Sequence, residues 1–83
     1  MKGQIPFATG TVVMVASGTL KGRNIIHETS VVYDEWGPYN AGYSIEYTTN
    51  RGAWVSHHLC TLLEPASPET MDELVKDLRA GWL

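Results

Sequence analysis

The chain has a single cysteine, Cys60, so no internal disulfide can form and the stability of a small domain must come from packing. That usage suits a reducing compartment. No apolar run approaches the ~18 residues of a membrane span. Met1-Lys2-Gly3-Gln4-Ile5-Pro6 leads into polar sequence without the apolar core of a signal peptide. A soluble, cytoplasmic protein is expected. Positive charge is scarce, with six Lys or Arg against nine Asp or Glu. There is no basic tail or basic helix, which argues against broad binding to a phosphate backbone. Length is also short, at 83 residues. A chain of that size buries roughly 60% of its unfolded surface and has no room for a deep cleft walled by its own residues. An enzyme here would need an oligomer interface for its site. What is present, 43% hydrophobic and 18% charged residues, excludes a disordered segment and implies one small fold.

The charge is uneven along the chain. Residues 1 to 33 carry Lys2, Lys21 and Arg23 against Glu28, whereas residues 34 to 83 carry eight acids against Arg51, Lys76 and Arg79. A small basic corner therefore sits beside an acidic remainder.

Between Gly10 and Pro65, short apolar and β-branched runs are punctuated by Gly, Asn and Pro, the pattern of a small all-β unit. Five strands are predicted. Thr11 to Ala16 is apolar on both faces, so another element should cover its outer face. In Ile25 to Tyr33 the odd positions Ile25, His27, Val31 and Tyr33 carry more apolar bulk, which points the odd face inward. Tyr43, Ile45 and Tyr47 alternate with Ser44, Glu46 and Thr48 in the third strand. Asn50-Arg51-Gly52 supplies a tight hairpin into Ala53 to Ser56. His57-His58-Leu59-Cys60 reads as a bend or single helical turn before Thr61 to Glu64.

Pro65-Ala66-Ser67-Pro68 marks a change from period two to period 3.6. Met71, Leu74, Val75, Leu78 and Trp82 then share one helical face. Two starts are open, Ser67 as cap with Pro68 at the first helical position, or Thr70 with Glu73 as a capping box. Gly81 stands where a helix stops. A lone helix of this length is marginal in water, so its apolar face should dock on the strands or on a partner chain. Residues 1–66 and 67–83 are read as two parts of a single domain.

Five strands, a long first loop, a tight hairpin before the fourth strand and a one-turn link before the fifth resemble an SH3-like small β-barrel over about residues 10 to 64. The resemblance implies a mainly β fold, a five-stranded SH3-like barrel with one C-terminal amphipathic α-helix. Within it, the segment from Gly10 to Arg23, with a strand, Ser17-Gly18 and then Lys21-Gly22, resembles the KOW motif of ribosomal and transcription-elongation proteins. Ile25 stands where that pattern has a further glycine. Small barrels also include Tudor-type readers and type II dihydrofolate reductases, whose Val-Gln-Ile-Tyr segment this chain lacks.

Candidate chemistry is sparse. His57, His58 and Cys60, with His27 elsewhere, are metal-ligand types in a spacing that does not converge, since adjacent side chains on an extended chain point to opposite faces. No metal site and no cofactor are expected. Cys60, between Leu59 and Leu62, is read as a buried structural thiol rather than a nucleophile. No phosphate-binding glycine fingerprint occurs. The aromatic residues are more informative. Trp54 has the opposite parity from Ala53 and Val55 and should stand on the outer sheet beside Glu46, where either the helix or a partner covers it. Trp36 and Tyr39, with Asp34 and Glu35, form an aromatic and acidic loop rim suited to a basic surface.

The expected function is a non-enzymatic protein-interaction module acting as adaptor, subunit or inhibitor. Its partner-binding residues are Asp34, Glu35, Trp36, Tyr39, Glu46 and Trp54, and the partner has a basic surface. Size and acidic character also fit proteins encoded by phage or mobile elements. One alternative is a KOW-like module binding RNA or a ribonucleoprotein through Lys21, Arg23 and Arg51. Another is an oligomeric small-barrel enzyme. No membrane partner is expected, and the C-terminal helix is a candidate contact for a homo-oligomer.

Overall fold

In the computed structural model the described residues are 5–34 and 42–82. They form β1 (Val12–Val15), β2 (Gly22–Asp34), β3 (Gly42–Thr49), β4 (Trp54–Ser56), a one-turn 3₁₀ helix (His57–Leu59), β5 (Cys60–Glu64) and α1 (Pro68–Trp82). The expected class, mainly β with a C-terminal helix, is observed. All pairings are antiparallel, in the order β4-β3-β2-β1-β5. The terminal strands β4 and β5 share no ladder among the described residues, so the sheet is open. It nonetheless curls, because one core cluster takes Val13 and Val15 from β1, Ile26 from β2, Ile45 and Tyr47 from β3 and Val55 from β4.

The expectation that another element covers the outer face of the first strand holds at Val12 but not at Met14, which is 42% exposed. Successive strand residues point to opposite faces. Val13 enters the inner cluster, whereas Val12 joins Ile25 and Leu74 in a second cluster under α1, flanked by Leu78. The helix therefore docks on its own sheet. Its start is the first of the two predicted alternatives: Ser67 Oγ accepts the Thr70 N–H at 3.2 Å, and Thr70 Oγ1 accepts the Ser67 N–H at 2.9 Å. This reciprocal pair satisfies two backbone donors at the helix start. Pro68 opens the helix, and the chain stays helical through Gly81 to Trp82.

The strand parity predicted for Ile25 to Tyr33 is corrected. Ile25 faces the helix and Ile26 faces the inner core, and both are fully buried. A bulge between Ile26 and Glu28 leaves His27 as the extra residue against β3 and restores the odd-inward phase only beyond it. Even there Val31 is 55% exposed, because β2 has 13 residues and β1 only four. Beyond Ser30 and Glu46, β2 and β3 pair only with each other and form a two-stranded arm.

The hairpin predicted at Asn50-Arg51-Gly52 is present, closed by the Gly52 N–H to the Thr49 carbonyl at 3.0 Å. Gly52 alone in that turn takes positive φ, at 81°. Asn50 serves differently. Its Oδ1 accepts the Ile25 N–H at 2.8 Å and its Nδ2 donates to Asp77 Oδ2 at 2.7 Å, tying hairpin, strand and helix together.

Candidate functional site

The outer face of the sheet carries the side chains that the curl and the helix leave uncovered. Register places Glu28, Thr48 and Trp54 in one cross-strand row and Ser30, Glu46 and Ser56 in the next. Residues directly opposite have Cβ atoms about 5 Å apart. Trp54 and Glu46 therefore share one face, as their parity predicted. The helix does not enclose the indole, which is 56% exposed. Beside this row an open cleft of about 120 Å³ is lined by His27, Glu28, Thr48, Thr49, Gly52 and Leu78. A second, of about 310 Å³, continues from it past Asn50, Arg51 and Gly81. Gly52 and Leu78 border both.

Of the other predicted partner-binding residues, Asp34 ends β2 opposite Gly42, four residues beyond Ser30. Glu35, Trp36 and Tyr39 lie outside the described residues. The face thus joins Glu46 and Trp54, and adds Glu28, whose placement depends on the bulge.

The basic set is dispersed in purpose. Arg51 Nη1 donates to the carbonyls of Leu20 at 3.3 Å and Lys21 at 3.1 Å, closing the first loop onto the hairpin. Arg23 makes a two-pronged pair with Glu73 at 2.6 and 3.0 Å, the strong fork geometry of guanidinium and carboxylate. The hydrogen bond from Arg23 holds the Glu73 carboxyl below its ordinary range, and the same bond raises the Arg23 guanidinium. Lys21 is exposed on the loop.

An aromatic cluster on the inner face escaped the sequence reading. The Phe7 N–H donates to the Tyr47 hydroxyl at 2.9 Å, and that hydroxyl lies 2.6 Å from His57 Nδ1. The Tyr47 oxygen has two acceptor sites, so it takes the Phe7 N–H and still shares one further proton with Nδ1 across the short contact. Burial lowers the His57 pKa, helped by the neighbouring His58, and burial raises that of Tyr47. The three rings pack with centroids 5.1 to 6.0 Å apart. The only sequence signal for this was the inward parity of Tyr47.

Cys60 packs against the inner core, where burial pushes its thiol pKa up. The flanking Leu62 is 53% exposed, because β5 is the edge strand beyond β1. Among the described residues no three or more His, Cys, Asp or Glu converge as metal ligands, and no helix is long and apolar enough to cross a membrane. No protein-family model, no curated protein and no solved structure matches the chain.

Proposed function

We propose that the chain is a non-enzymatic protein-interaction module, an adaptor, subunit or inhibitor built on an SH3-like scaffold, whose outer sheet face binds a partner with a basic surface. The scaffold reading draws on the five strands, the tight hairpin before β4 and the one-turn link before β5. The observation that carries the function is Trp54, a half-exposed indole directly opposite Thr48, with Glu46 diagonal to it on β3 and Glu28 beyond Thr48 in the same row. Large aromatics on such faces are favoured anchors when a partner buries them, and carboxylates beside them select cationic partners. Two of the three cations of the RNA-binding alternative are committed within the fold, Arg23 to Glu73 and Arg51 to backbone carbonyls. That leaves the interaction face the better supported reading.

The test retains partners from nuclease-treated lysate on immobilised protein and compares wild type with Trp54→Ala and Glu46→Lys. A protein retained by wild type, released by salt and lost with both variants is the expected result. Material that vanishes on nuclease treatment and on Lys21→Glu would replace this reading with the RNA-binding one. Trp36→Ala reports separately on the aromatic and acidic rim predicted from the sequence.

A further inference from the structure

The two-stranded arm has a free edge. Thr11 and Gly10 hydrogen-bond to Ile26, and Thr9 Oγ1 donates to the His27 carbonyl, so the chain before β1 covers that side of β2 up to the bulge. There Gly10, at φ 94°, turns the chain away, and Phe7 enters the inner cluster under Tyr47. From Glu28 to Asp34 no strand pairs with that side of β2 among the described residues. A strand with one neighbour leaves a row of backbone N–H and C=O groups unpaired. Natural edges are guarded by shortness, by Lys or by Pro. The β4 edge is three residues long, but this stretch of β2 has seven residues and neither Lys nor Pro. Val31 and Val32, on opposite faces of it, are 55% and 52% exposed. A two-stranded ribbon is at best marginal alone, and a third strand would add hydrogen bonds and cover both valines.

The charge of the arm chooses the occupant. Asp34 lies on the arm and Glu28 and Glu46 at its base, and neither Ile26 to Asp34 nor β3 contains a Lys or Arg. Antiparallel pairing with a second copy would set acidic strands side by side, where like charges repel. We propose that this edge of β2 takes an extended basic segment of a partner, added as a strand next to Glu28–Asp34, with its apolar residues on the face of Val31 and its cations on the face of Glu28 and Glu46. Such strand addition draws affinity from main-chain hydrogen bonds and specificity from alternate side chains. The proposal gives the interaction module a mode of attachment and rests on that reading for the existence of a partner.

The experiment titrates an octapeptide of alternating Lys and Val into the isotope-labelled full chain, following amide shifts and hydrogen exchange. Expected are shifts centred on Glu28–Asp34, exchange there slowed at least about tenfold, and weakening as salt rises. An alternating Glu-Val octapeptide should not bind. Nor should the Lys-Val peptide with a central Pro, which has the same charge but cannot complete the ladder. Val32→Lys, at an exposed position, should weaken binding while leaving the melting temperature within a few degrees. Equal binding of the Pro-interrupted peptide would reduce the effect to charge attraction and overturn the proposal. Shifts confined to Trp54 and Thr48 would overturn it while upholding the outer-face reading. Concentration-dependent protection of Glu28–Asp34 without peptide would make a second copy the occupant, also against it.

Discussion

Tyr47 shows how much one buried hydroxyl can organise. It accepts from Phe7, hydrogen-bonds His57 Nδ1 and has no exposed surface, so it joins the N-terminal segment, β3 and the 3₁₀ turn. Tyr47→Phe should leave the ring packing in place but strand the Phe7 N–H and His57 Nδ1, lowering the unfolding free energy by about 1 to 3 kcal/mol in urea denaturation. An unchanged midpoint would show that water replaces the hydroxyl without loss. His57 adds a pH dependence whose sign follows from its lowered pKa. The unfolded chain binds that proton more readily, so the stabilisation is fully present above the ordinary His value of about 6.5 and is lost as pH falls through the lower folded value. His57→Asn, which keeps a hydrogen-bonding side chain without the titration, should flatten the loss of stability that wild type shows as pH falls below about 6.5.

At the scale of the element, α1 owes its place to one deeply buried side chain and one well-formed start. Leu74 is 2% exposed between Val12 and Ile25. Leu74→Ala should cost about 2 to 5 kcal/mol, the range for truncating a buried leucine. Ser67→Ala should cost about 0.5 to 2 kcal/mol through the lost cap. Removing residues 67–83 should lower the melting temperature of the monomer, because Val12 and Ile25 would then face water. Unchanged stability with lost self-association would make the helix a dimer contact instead. Glu73→Gln should barely move the melting temperature, since its ion pair is exposed and screened. Gly10 binds the same interface from the other side. A Cβ there would meet Met71 Sδ at 2.5 Å at a φ of 94°. Gly10→Ala is therefore destabilising, and Met71→Ala should restore only the part due to the clash.

For the whole molecule, stability should be graded. The core beneath Val13, Ile26 and Tyr47 draws on four strands, whereas the arm from Val31 to Asp34 has a single neighbour. Native-state hydrogen exchange should find the slowest amides in β1 and the base of β2 and β3, and the fastest strand amides in the arm. Uniform protection along β2 would mean that something already occupies its edge.

Local pattern was enough for the strand count, the hairpin, the one-turn link and the capped helix, because turn chemistry and side-chain periodicity act over a few neighbouring residues. It was enough, too, to put Glu46 and Trp54 on one face, since parity along a regular strand is a local property. Parity failed at Ile25 and Ile26, where a bulge shifted the phase. Only pairing with β3 reveals that extra residue. Nor do neighbouring residues tell that Asn50 would reach Asp77, that Arg23 would be taken by Glu73, or that Phe7 would close on Tyr47 and His57. Those partners are separated by up to 50 positions, and their contacts exist only once the sheet has curled and the helix has docked. Tertiary structure alone decided which cations were paired within the chain, that Trp54 stayed uncovered, and that seven residues of β2 ran on past β1 and the chain before it to leave an edge.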